Sequence, residues 1–183
     1  MCIMITEEQG KRLISIAREN ILYYLTHHEM TRVDDVPPEF KEAKGVFVTL
    51  KKHEALRGCI GYPEPVYPLI DALLDSSVSA AVRDPRFPPV SAEEMKDIDV
   101  EVTVLTKPEE IVPDPRNVTI GEDGLIIEKG VFKGILLPQV PVEWEWDAEE
   151  FLCQACMKAG LPPDCWLDKD TIVYKFQGQV FSE

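Results

Sequence analysis

Leu56-Arg57-Gly58-Cys59-Ile60-Gly61-Tyr62-Pro63 follows Gly45-Val46-Phe47-Val48-Thr49-Leu50-Lys51-Lys52, with only His53-Glu54-Ala55 between. Both runs are rich in strand-forming residues and the link is short, which predicts a β-hairpin. Strict alternation then puts Leu56, Gly58 and Ile60 on one face, and Arg57, Cys59 and Gly61 on the other. That register sets a cation two residues from a thiol. Gly58 and Gly61 leave room for something to approach the backbone.

Upstream, Thr6-Glu7-Glu8-Gln9 has capping-box form. Leu13, Ala17, Ile21 and Leu25 recur at helical spacing, so a helix is expected from about residue 7 to 28. Its last turn carries His27 and His28, which point to different faces and suit the helix dipole better than a metal. Residues 33–44, with Pro37-Pro38, read as a loop. Beyond the hairpin, Leu69-Ile70-Asp71-Ala72-Leu73-Leu74 runs on through Val78, Ala80, Ala81 and Val82. This helix is apolar nearly all round and should be the most buried one, lying on the hairpin sheet.

Arg83-Asp84-Pro85-Arg86-Phe87-Pro88-Pro89 ends it. Three prolines leave that loop few backbone freedoms, a low-entropy way to present Arg86 and Phe87. The plainer reading makes Asp84 a cap and Phe87 a core plug. Ser91-Ala92-Glu93-Glu94 is a second capping box, expected to open a short helix. Asp99 to Thr106 alternates, with Val100, Val102 and Val104 on one face, as in a half-buried strand.

Residues 108–117 are acidic and proline-rich, the best boundary in the chain. A hairpin with Gly130 in its link (125–128 and 134–137), an irregular segment with Trp144 and Trp146, a helix capped by Asp147 and stopped by Gly160, and a last strand from Thr171 complete the pattern. Strands and helices mix without a βαβ rhythm. The expected class is α+β, mostly antiparallel sheets with helices packed on them.

Composition narrows the function classes. Acidic residues outnumber basic ones 33 to 19, a net charge of −14, which repels nucleic-acid backbones. No run nears the ~20 apolar residues of a membrane span. Nor does the N-terminus have a signal-peptide pattern, so the expected location is cytoplasmic. Five cysteines, an odd number in such a chain, argue for free thiols rather than a disulfide framework.

L-R-G-C-I-G at 56–61 resembles the signature of the AMMECR-one family, the AMME syndrome candidate proteins. Gly45-Val46-Phe47-Val48, Asp84-Pro85-Arg86-Phe87-Pro88-Pro89, Leu136-Leu137-Pro138-Gln139-Val140 and Phe151-Leu152 look like the same family, so the resemblance spans nearly the whole chain. It implies two subdomains of unequal size. We place them at residues 1–112, a unit that residues 171–183 can complete, and 113–170. Gly121-Glu122-Asp123-Gly124 departs from the family pattern, in which a His is expected where Asp123 stands.

Two function classes follow. Prokaryotic members resemble the A component of the AmmeMemoRadiSam system, which implies an accessory or adaptor subunit working with a Memo-like protein and a radical SAM protein. Metal chemistry would then belong to the partners, with no cofactor or metal on this chain. The alternative is an enzyme with a small-molecule pocket between the subdomains, lined by Arg57, Cys59, Arg86 and Gln139, with Gly58, Gly61 and Phe87 as further binding candidates. Cys59 is the candidate nucleophile, since a nearby guanidinium lowers a thiol pKa. Against that, no histidine has a persuasive place beside it, and the plainer reading, a small buried hydrophobe, is favoured. Arg57 is either an anion site or half of an ion pair, for instance with Glu101. Cys153-Gln154-Ala155-Cys156, with Cys165 nine residues on, lacks an obvious fourth zinc ligand and reads as helix packing. The adaptor reading requires no missing base and comes first.

Overall fold

The computed structural model describes residues 5–183, so Cys2 and the first residues of the N-terminal pattern lie outside the described part. The chain forms two units. One runs to Leu105 and takes in Gln179–Glu183; the other is Thr106–Gly178.

The first unit opens with α1 (Glu7–His27), and the expected capping box is present at Thr6 and Gln9. Its buried stripe is Leu13, Ala17 and Ile21. The hairpin is β1 (Val46–Lys52) and β2 (Ala55–Tyr62), antiparallel, with β3 (Ile98–Leu105) antiparallel on the far side of β1. The order β2-β1-β3 leaves β2 at the edge. His53 and Glu54, at φ 50° and 65°, form the two-residue turn. Val46, Val48 and Leu50 share the buried face with Val100 and Val102, all fully shielded. The helix α2 (Leu69–Val82) packs on β1, β2 and α1. One of its buried polar residues is satisfied locally: Ser77 donates to the Leu74 carbonyl at 2.9 Å, and Asn20 of α1 donates to that carbonyl and to the Ser77 hydroxyl. Asn20 Oδ1 accepts from the backbone and hydroxyl of Thr31, pinning the loop after α1.

Three expectations are corrected in this unit. The register slips between Leu50 and Lys51, with Leu50 facing Gly58 and Lys51 facing Leu56. Arg57 is thus the extra residue of a β-bulge, which breaks strict alternation. Cross-paired residues share a face, so Leu56 lies with Lys51 and not with Gly58. The segment after Ser91 is a 3₁₀ turn, Glu94–Asp97, not an α-helix, although the Ser91 hydroxyl does accept from the Glu94 amide at 3.2 Å.

In the second unit β5 (Asp123–Lys129) pairs antiparallel with β6 (Phe132–Leu136) and with β7 (Ile172–Ser182), whose last residues belong to the first unit. A short β4 (Glu109–Ile111) also pairs with β7, which draws residues 106–112 into this unit. A short α3 (Val140–Glu143) occupies part of the segment read as irregular. The helix α4 (Ala148–Lys158) is capped by Asp147, which accepts from the Glu150 amide at 2.8 Å, and Gly160 follows at φ 79°. It buries Phe151, Leu152 and Ala155 beside Leu125, Ile127 and Val173.

The free-thiol expectation is also corrected here. Cys156 and Cys165 form a disulfide with Cα atoms 6.0 Å apart, while Cys59 and Cys153 are free. The partner cysteine sits in the 3₁₀ turn Cys165–Leu167, which folds back against α4. The architecture is α+β with antiparallel strands, as the element pattern indicates. No helix among the described residues is long and apolar enough to cross a membrane.

Candidate functional site

The residues with chemical potential gather where the end of α2 meets the outer edge of β2. In the pairing with Thr49, the Cys59 backbone turns its N–H and C=O outward. An edge strand left so would offer open hydrogen-bonding groups. Here Asp84 and Arg86 take them. Asp84 Oδ2 accepts from the Cys59 amide at 2.9 Å, and Arg86 Nη2 donates to the Cys59 carbonyl at 3.2 Å. Asp84 also accepts from the Arg86 amide at 3.1 Å, from its Nε at 3.0 Å and from its Nη2 at 2.7 Å. The carboxylate is buried, with a side chain only 2% exposed, and four N–H bonds satisfy it. The Arg86 hydrogen bond is the main reason that its pKa falls far below the usual carboxylate range, against the opposing effect of burial.

Pro85 suits this geometry because its fixed φ favours a tight turn between Asp84 and Arg86. The turn is closed by the Phe87 amide donating to the Asp84 carbonyl at 3.2 Å. Arg86 keeps a side chain 55% exposed, its guanidinium carbon 5.5 Å from the centre of the half-buried Phe87 ring.

Cys59 Sγ accepts from the Thr49 hydroxyl at 3.2 Å. Burial pushes the thiol pKa up, and neither the Thr49 hydrogen bond nor the Arg86 charge offsets it. Thiolate, the nucleophilic form, is therefore disfavoured. His53 is in the exposed hairpin turn, and His27 and His28 close α1, each exposed. No imidazole takes part in this hydrogen-bond set.

Arg57 does not accompany Cys59. The bulge turns it to Glu94, which it grips with both ends of the fork, Nε to Oε1 at 2.8 Å and Nη2 to Oε2 at 3.0 Å. Lys52 Nζ joins the same carboxylate at 3.2 Å. Glu94, not Glu101, is thus the acid that partners Arg57; Glu101 instead takes Lys51 Nζ at 2.9 Å. The Arg57 bond holds the Glu94 pKa below its ordinary value.

The motif glycines serve close packing. A Cβ on Gly58 would stand 2.1 Å from the Ala80 carbonyl oxygen of α2, and one on Gly61 2.2 Å from the Val46 carbonyl oxygen. Gln139 is an exposed residue just before α3, in the second unit. Of the residues singled out, the structure brings Cys59, Arg86 and Phe87 together and directs Arg57 elsewhere. Sequence reasoning passed over the hub, Asp84, crediting it only as a cap. A usable signal was present: an acid at a buried helix end, two residues before an arginine, is rarely unpaired.

Asp123 is likewise a buried hub, within the second unit. It accepts from the Thr119 amide at 2.8 Å and from Gln177 Nε2 at 3.0 Å, with Lys175 Nζ at 3.4 Å. That set fixes the turn before β5. In α4, bonding of Cys156 to Cys165 removes two of the three thiols that a C-x-x-C metal reading would use.

The AMMECR1 family model matches residues 14–181. A protein of Methanothermobacter thermautotrophicus is 55% identical over 185 residues, covering 98% of this chain and 96% of its own. Protein PH0010 of Pyrococcus horikoshii is 54% identical over 193 residues, covering all of this chain and 94% of its own. The crystal structure of the uncharacterized protein PH0010 matches with a TM-score of 0.85 at 53% identity, over 98% of this chain and 93% of that one. This chain belongs to the AMMECR1 family.

Proposed function

We propose that this protein is a non-catalytic accessory or adaptor subunit that docks on protein partners through the surface made by the β2 edge and the Asp84–Pro89 loop. The observation that carries this reading is mutual saturation of the motif. Asp84 spends its acceptors on Arg86 and the Cys59 amide, and Arg57 spends its fork on Glu94. A partly buried thiol with a raised pKa has no base in its hydrogen-bond set among the described residues to activate it. What remains directed at solvent is a stiff loop bearing a half-exposed guanidinium on an aromatic ring, a composition that suits protein interfaces.

The partners that the family resemblance points to are a Memo-like protein and a radical SAM protein of the AmmeMemoRadiSam system. The test is co-expression with both proteins from one genome, followed by affinity capture and size-exclusion chromatography. Co-elution that Arg86→Ala and Phe87→Ala weaken supports the reading. Separate elution of all three proteins at micromolar concentration refutes these partners.

A further inference from the structure

A cleft of about 420 Å³ opens in the first unit, between α1 and the loop that follows it. Its walls are Arg12, Ser15, Ile16 and Glu19 of the helix, faced by Arg32 and Val33 of the loop. Positions 12, 15, 16 and 19 recur at helical spacing and share one face of α1. The loop is tied to α1 by side-chain hydrogen bonds. Thr31 is tied to the buried Asn20, and the Arg12 guanidinium donates to the Asp35 carbonyl. The cleft is therefore preformed, a condition that lowers the ordering cost of binding.

Its chemistry is paired by sign. Arg12 and Arg32 both line this cleft, in a chain whose net charge is −14. Arg32 makes no ion pair or hydrogen bond among the described residues, and Arg12 spends one of its five N–H donors on Asp35. The single acid of the lining, Glu19, takes the Ser15 hydroxyl on Oε1 at 2.9 Å and makes no ion pair among the described residues. Ile16 and Val33 add apolar side chains to the lining.

We infer that this cleft binds a small zwitterion of amino-acid or dipeptide size, its carboxylate on Arg12 and Arg32, its ammonium on Glu19 and its aliphatic body on Ile16 and Val33. An inorganic anion would leave Glu19 opposing it, and a simple amine would face two guanidiniums. Only a ligand with both charges satisfies the set. The volume lies within the range of small-molecule sites, ~300–1,000 Å³. This inference is independent of the docking surface at Arg86.

The experiment is an amide NMR titration of the full chain with alanyl-leucine, its N-acetyl derivative and its C-terminal amide. The expected result is saturable shifts at Ser15, Thr31 and Arg32 with the free dipeptide, and affinity about tenfold weaker for each blocked form. Arg32→Gln should erase the preference over the amide, and Glu19→Gln the preference over the N-acetyl form. Both residues are exposed, so both variants should fold. Absence of saturable shifts up to about 50 mM, equal affinity for the three ligands, or discrimination unchanged in both variants would each overturn the assignment.

Discussion

Asp84 Oδ2 accepts the amide proton of Cys59 at 2.9 Å, so a carboxylate delivered by the end of α2 closes the open edge of β2. The same carboxylate holds Arg86, and the two signature segments of the sequence become one hydrogen-bonded unit.

Removing that carboxylate should be costly. Asp84→Ala leaves the Cys59 amide and the inner face of Arg86 without a partner, and should lower stability by about 2–3 kcal/mol. The pH dependence has a defined sign. The folded pKa of Asp84 is depressed, so its contribution is full above the unfolded value, ~3.9, and is lost as pH falls below that. Urea midpoints measured from pH 6 down to 2 should fall less steeply for Asp84→Asn than for the parent chain. Parallel pH profiles would count against the clasp.

Gly58 tests the other side of the edge strand. A methyl group there would stand 2.1 Å from a helix carbonyl oxygen, which cannot rotate away as a side chain would. Gly58→Ala should destabilise by about 3 kcal/mol through overpacking of α2 against β2. Gly130→Ala, in open space but at φ 60°, should cost less, about 1 kcal/mol, through backbone strain alone. Thermal or urea unfolding of the two variants decides the order.

The hairpin, α1, the buried α2 and the alternation of β3 were legible because each rests on a local periodicity. Arg57 was not, because a bulge shifts a register by one residue without changing composition; Leu56 then takes the face expected of Arg57, and Arg57 reaches Glu94. Asp84 was visible as a residue but not as a hub, since its four donors come from Cys59 and Arg86, which are 27 positions apart. The disulfide failed on a parity argument. An odd cysteine count says nothing about one pair brought together by the turn that follows α4.

That pair can be checked chemically. In protein denatured without reductant, peptides bearing Cys156 and Cys165 should resist alkylation, and should take the label after reduction. The double variant Cys156→Ala, Cys165→Ala should lose about 2–4 kcal/mol, the usual range for a native cross-link. Full labelling of both cysteines without reductant would remove the cross-link from the account of the second unit.

Tyr62 offers a spectroscopic test of the β2–α2 contact. Its hydroxyl donates to Asp75 Oδ2 at 2.7 Å, and that bond, with burial and the nearby charge, pushes its pKa up to about 12. Phenolate absorbance should show one tyrosine ionising well after an ordinary phenol, ~10, and Tyr62→Phe should delete that late step. The raised pKa contributes stability below pH ~10 that is lost as pH rises through the folded value. A titration unaltered in Tyr62→Phe would place the late step elsewhere.

Cys59 decides between the adaptor and enzyme readings. A nucleophilic thiol needs a lowered pKa and access. Cys59 is partly buried, burial raises its pKa, and its thiol's hydrogen-bond partner among the described residues is the Thr49 hydroxyl at 3.2 Å. Arg86 lies close, but its guanidinium serves Asp84 and the Cys59 carbonyl, and the Asp84 charge works against its effect on the sulfur. Iodoacetamide labelling followed by peptide mass spectrometry should therefore be slow at Cys59 in the folded protein, with a midpoint above that of a free thiol, ~8.5. Cys59→Ser should fold, with some stability lost because a more polar hydroxyl replaces a thiol in a partly buried site. It should leave partner binding at the Arg86 surface intact, since Asp84 and Arg86 contact the backbone of residue 59 and not its side chain. Rapid labelling with a midpoint well below 8.5 would mean that a field absent from this hydrogen-bond set stabilises the thiolate, and the enzyme reading would then come first.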